Sequence, residues 1–110
     1  MRRAIVVLCA SVAFAGCGSS SDTSSPSAAC NSISSASCNK AYSCNSSLPG
    51  NATTCTTAAE AEAGCATLTC PTGKVFSSSQ ASQCLSDINS ESCADVNNEV
   101  VPVSCDNICQ

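Results

Sequence analysis

The chain has 110 residues, of which 12 are Cys and none is His or Trp, enough for one small domain. Only 11% of the residues are charged and 3% aromatic, with Phe14, Tyr42 and Phe76 the whole aromatic supply. Without His there is no imidazole for proton transfer, metal ligation or activation of a Ser or Cys nucleophile. A formal charge of −4 argues against nucleic acid as a partner, because phosphates are held by clustered Lys and Arg.

The first segment reads as a signal peptide, residues 1–16. Met1-Arg2-Arg3 supplies the positive start, and Ala4 to Ala15 is an uncharged run of 12 residues, too short for a membrane span, which needs roughly 20. Two processing sites overlap at its end. Ala13-Phe14-Ala15 is an A-x-A site for ordinary signal peptidase, with cleavage before Gly16 and release of a secreted protein. Phe14-Ala15-Gly16-Cys17 resembles the bacterial lipobox, which implies lipid attachment to Cys17 and a membrane partner through that lipid.

Cysteine parity separates the two. Cys9 leaves with the signal segment, and Cys30, Cys38, Cys44, Cys55, Cys65, Cys70, Cys84, Cys93, Cys105 and Cys109 are even in number. With Cys17 acylated, all ten can form disulfides; ordinary cleavage leaves one thiol over in an oxidising compartment. Parity therefore favours the lipoprotein. Gly18 to Ser27 is Ser-rich and lacks large apolar residues, so residues 17–29 are expected to be a lipidated, flexible tether ahead of a Cys-rich domain at 30–110.

In the mature chain Lys40 and Lys74 stand against eight acids, a net charge of −6. The larger apolar residues from Cys30 onward are Ile33, Tyr42, Leu48, Leu68, Val75, Phe76, Leu85, Ile88, Val96, Val100, Val101, Val103 and Ile108, a thin core for some 80 residues. Cross-links contributing about 2 to 4 kcal/mol apiece are then needed to hold it. Zinc is the competing use of thiols, but successive cysteines are separated by 7, 5, 10, 9, 4, 13, 8, 11 and 3 residues, with no C-x-x-C. The reading is therefore disulfides, with no metal and no cofactor.

Helical periodicity dominates. Cys30, Ile33, Ser37, Ala41 and Cys44 fall within an arc of about 80°, which predicts a helix over residues 28–43. Leu48-Pro49-Gly50-Asn51 is a turn by composition, after which Thr57-x-x-Glu60 reads as a capping box opening a second helix to about residue 65. Cys70-Pro71-Thr72-Gly73 breaks the chain again. Ser77 as N-cap, Gln80 at N3 and Phe76 against Ala81 then start the best helix, with Ala81, Cys84, Leu85 and Ile88 as its inner stripe. A short helical turn is expected over 92–96, capped by Ser90 or Ser92, then an extended 99–103 and a last turn over 104–109. The expected fold class is small, all-α and disulfide-rich, with three to four short helices stapled by about five disulfides and cysteines on the inner stripes. Cys30 and Cys38 cannot pair within an intact helix, since eight residues rise about 12 Å. Cys44 with Cys55, flanking the first turn, is the single pairing expected from sequence, among on the order of a thousand complete ones.

The lipobox-like Phe14 to Cys17, the Ser-rich tether, C-x7-C-x5-C in the first helix, Ala81-Ser82-Gln83-Cys84-Leu85 leading to Ser92-Cys93, and Pro102 before Cys105 together resemble small Cys-rich lipoproteins of myxobacteria and related bacteria. The resemblance implies an envelope or secreted location and a helical disulfide-bonded domain; it brings no activity that could be placed on residues here. Expected function follows as a non-enzymatic, lipid-anchored envelope protein displaying a small domain, with an unidentified protein or envelope partner. The alternative is a secreted Cys-rich inhibitor or toxin-like module cut before Gly16. Paired-carboxylate catalysis by Glu60 and Glu62 is disfavoured, because residues two apart on a helix diverge. Asn45-Ser46-Ser47 and Asn51-Ala52-Thr53 match the N-glycosylation pattern, which matters only in a eukaryote.

Overall fold

The computed structural model describes residues 22–110. The expected signal segment, the lipobox-like residues and Cys17 lie outside the described residues. Within them the protein is a small all-α, disulfide-rich domain. It has helices α1 (Pro26–Cys44), α2 (Ala52–Ala63), α3 (Ser78–Ser90) and α4 (Cys93–Asn97), with 3-10 turns at Cys65–Thr67 and Val103–Asn107.

Helix α1 starts where Ser25 accepts a hydrogen bond from the Ala28 N–H at 3.2 Å and Pro26 fills the first turn, a position at which its missing N–H costs nothing. It ends at Asn45, whose side chain turns the chain by accepting from the Ser47 N–H and hydroxyl. Gly50 then takes φ +80°, a conformation reserved for residues without a Cβ, and the turn is tied back to α1 by the Tyr42 hydroxyl donating to the Pro49 carbonyl.

The second helix begins six residues earlier than the Thr57/Glu60 motif predicts. Asn51 is the N-cap: its side chain accepts from the Thr54 N–H at 2.9 Å, while the Asn51 N–H donates to the Thr54 hydroxyl at 3.2 Å. This reciprocal pair satisfies the first orphan donors, so Thr57 and Glu60 fall inside the helix. Gly64, at φ +67°, closes it. Helix α3 starts at Ser77 as its sequence indicates, with Ser77 accepting from the Gln80 N–H at 3.3 Å. The reciprocal half of that box is absent. The Ser77 N–H instead donates to the Ile108 carbonyl at 2.7 Å, part of a short antiparallel bridge in which Val75 and Gln110 exchange two hydrogen bonds.

Ala81, Cys84, Leu85 and Ile88 of α3 are all buried, and the last three pack with Ala36 of α1 against Ile33, Cys105 and Ile108. This core is thinner than the apolar count suggests, because Leu68, Val75, Val100, Val101 and Val103 are exposed. Small residues make the rest of the α1 interface: Ala29, Ser32 and Ser35 are buried beside Ala36 and Cys38.

Residues 22–29 are not a loose tether. Thr23 is buried; its carbonyl accepts from the Ser78 hydroxyl and its own hydroxyl pairs with that of Ser82, each at 2.7 Å. The wholly buried Ser32 hydroxyl donates to the Asp22 carbonyl, also at 2.7 Å. Serine does here what large apolar residues do elsewhere. Its small side chain allows close approach and its hydroxyl satisfies a carbonyl that packing would otherwise strand. The folded domain therefore starts upstream of Cys30, and α1 is two residues longer at its front than its periodicity implies.

Candidate functional site

All ten cysteines from Cys30 to Cys109 are in disulfides, and each bond joins two different parts of the fold. Cys30–Cys65 and Cys38–Cys55 are two rungs between α1 and the α2 hairpin arm, with Cα separations of 5.4 and 5.8 Å. Their order is that of an antiparallel pair: the earlier α1 cysteine meets the later partner. Cys44–Cys93 joins the end of α1 to α4, Cys84–Cys105 joins α3 to the last 3-10 turn, and Cys70–Cys109 joins the Pro71 loop to the C-terminal bridge.

The expected Cys44–Cys55 bond is not made. Because α2 starts at Ala52, Cys55 lies one turn into a helix that folds back along α1, and the α1 residue opposite it is Cys38, almost two turns before Cys44. Nor do all cysteines face inward. Cys38, Cys65 and Cys84 are buried, but Cys93 is exposed. Helix α2 buries none of its residues, so the two sulfur rungs substitute for the apolar contact that normally fixes a helix to its neighbour.

With every described thiol consumed, catalytic and metal chemistry would fall to the carboxylates. Glu60 is half-buried and Glu62 exposed on α2, and two residues along a helix they point away from each other. Among the described residues no three His, Cys, Asp or Glu side chains come together as a metal site. Asp22 is the acid with a perturbed carboxyl: hydrogen bonds from the Ser24 hydroxyl and from its N–H, the latter at 2.9 Å, lower its pKa. Asn45 and Asn51, the two sequon asparagines, are the residues that end α1 and cap α2.

Among the described residues, apolar depressions lie on either side of Ile33. The larger, about 450 Å³, lies between the front half of α1, the loop after α2 and the C-terminal bridge, with Ile33, Leu68, Phe76 and Ile108 in its walls. The smaller, about 340 Å³, lies between the back half of α1 and the 99–102 segment, with Lys40, Glu91 and Glu99 beside Val100 and Val101. Sequence reasoning did not find the larger one, because it exists only once Cys70 has bonded Cys109 and brought Phe76 against the C-terminal residues. No helix among the described residues is long and apolar enough to cross a membrane. The chain matches no protein-family model, no curated protein and no solved structure.

Proposed function

We propose that the protein is a non-enzymatic bacterial envelope lipoprotein, held to a membrane through lipid on Cys17 and displaying a small disulfide-stapled domain for binding or envelope architecture. The observation that carries this reading is that the ten cysteines downstream of Cys17 pair completely among themselves. Export is implied because five disulfides persist only in an oxidising compartment. Once the signal segment is removed, Cys17 is then the one thiol over, in the position a lipobox reserves for acylation. Several acyl chains on one residue hold a small domain to a bilayer durably, each buried methylene contributing about 0.8 kcal/mol.

The test is the intact mass of the mature protein from membrane and soluble fractions, with and without reduction. A lipid-sized addition on a chain beginning at Cys17, with a gain of ten hydrogens on reduction, is the expected result. An unmodified chain beginning at Gly16 in the soluble fraction overturns the anchor and favours a secreted module; free thiols before reduction overturn the sulfur framework.

A further inference from the structure

The folded domain reaches back almost to the proposed anchor. Asp22 is fixed by the Ser32 hydroxyl, which donates to its carbonyl at 2.7 Å, and Thr23 by the Ser78 hydroxyl at the start of α3. Residues 18–21 are then all that separate Cys17 from the fold. Five Cα-to-Cα steps span at most about 18 Å, whereas the 19 residues of α1 make a rod about 28 Å long. The connection is shorter than the body it holds, so lipid on Cys17 keeps one end of the domain at the headgroups.

The place where the arm leaves the fold decides which end. Val75 is three residues before Ser78, and so within about 11 Å of the residue that holds Thr23. Leu68 lies across the front half of α1, walling the larger hollow with Pro26, Ala29 and Phe76, the residue after Val75. Val75 is 72% exposed and Leu68 40%. Two large apolar side chains that the fold leaves in water are thus gathered beside the exit of the connection. Val100 and Val101, also exposed, lie against the back half of α1. Charge does not select this surface, because the exposed acids Asp22 and Glu62, the latter next to wall residue Ala63, share that end with Lys74. Apolar area does: an aliphatic side chain held within reach of a bilayer gains by leaving water for the acyl boundary.

We propose that Leu68 and Val75 form a bilayer-contact surface, on which the front ends of α1 and α3 rest against lipid while the turn over 45–51, at the far end of α1, points away from it. This surface rests on the acylation of Cys17 proposed above and goes beyond it in fixing which face of the domain meets the membrane and which is presented to other partners.

The chain contains no Trp, so a single substitution gives a fluorescent probe of one position. Val75→Trp, Val101→Trp and Ser46→Trp, all at exposed positions, are made in the full chain, purified from the membrane fraction, checked for the lipid-sized mass on Cys17, and reconstituted into phosphatidylcholine vesicles with or without bromine on the upper acyl chain. Bromine should quench Val75→Trp several-fold more strongly than Val101→Trp or Ser46→Trp, and added anionic lipid should not increase the difference. In the Val75→Trp background, Leu68→Asp should weaken the quenching and Val100→Asp should leave it unchanged. Lengthening the connection with a Gly/Ser spacer between Ser21 and Asp22 should weaken it as well. Equal quenching of the three probes in acylated protein, or equal effects of Leu68→Asp and Val100→Asp, overturns the surface and leaves the anchor standing. A mature chain without lipid on Cys17 that stays unbound to vesicles overturns the anchor, and the surface with it.

Discussion

The hydroxyl of Ser32, wholly buried on α1, donates at 2.7 Å to the carbonyl of Asp22, ten residues earlier in the chain. That one bond lays the N-terminal arm back along α1, where Thr23 can reach α3. Ser32→Ala leaves the Asp22 carbonyl without its donor and should lower stability by about 1 to 3 kcal/mol. Ser32→Val, which adds bulk as well, should cost more. Chemical denaturation of the two variants checks both the size and the order; equal midpoints with wild type would mean that the arm contributes nothing.

Replacing Cys38 and Cys55 together by Ala opens a loop with a sequence separation of 17 and should cost about 3 kcal/mol. Because α2 buries no residue, the loss should fall on that helix. Amide exchange in 52–63 should rise sharply while Ala81, Cys84, Leu85 and Ile88 of α3 stay protected. Uniform loss of protection across both helices would show that α2 has packing of its own.

The cap of α2 can be assigned by three substitutions. Asn51→Ala removes the side-chain acceptor of the Thr54 N–H, while the backbone N–H of residue 51 can still donate to the Thr54 hydroxyl, and should cost about 1 kcal/mol. Thr57→Ala and Glu60→Ala, at the motif that sequence alone favours, should each lie within about 0.5 kcal/mol of wild type. Thermal melts of the three variants suffice.

Gly50 and Gly73 both hold positive φ, but only Gly50 is crowded. A Cβ there would stand 3.0 Å from the Thr54 hydroxyl, whereas at Gly73 nothing lies within 4 Å. Gly73→Ala should therefore cost only the left-handed backbone, about 1 to 2 kcal/mol. Gly50→Ala should cost more and also disturb Thr54, so that combining it with Asn51→Ala gives less than the sum. A double-mutant cycle reads the coupling.

Asp22 gives the arm a pH dependence of known sign. Its carboxyl is lowered in the folded protein by the Ser24 hydrogen bonds, so its contribution is present above the ordinary carboxylate pKa of about 3.9 and is lost as pH falls through the lower folded value. Exchange of the Ser24 amide should accelerate across that acid range beyond its intrinsic trend, and Asp22→Asn should abolish the step.

Much of this was readable beforehand where a signal is local. Helix α3 declares itself through Ser77 and the 81, 84, 85, 88 stripe, and Ser92 caps α4 as its position suggests. Helix α2 is harder. Its Thr and Ala residues give no apolar stripe, and Asn51 is masked by the turn it also belongs to. The pairing of cysteines was out of reach for a deeper reason: which ones meet depends on the register of α1 against α2, and an error of almost two turns in the start of α2 moves the partner from Cys38 to Cys44. The 22–29 arm misled because Ser-rich sequence usually means solvation, and only the α1–α3 contact shows where those hydroxyls go. Of the candidate site, Phe76 and Ile108 were visible as apolar residues, but their meeting depends on the Cys70–Cys109 bond.

Cys93 stands in solvent, whereas Cys84 and Cys65 are sealed from it at 0% and 1% exposure. Thiol–disulfide exchange needs an attacking thiolate to reach sulfur, so a reductant meets the bridges in sequence rather than all at once. The tie between α1 and α4 should open first and the one inside the core last, which means the domain is dismantled from its rim inward and can lose one strap while keeping its shape.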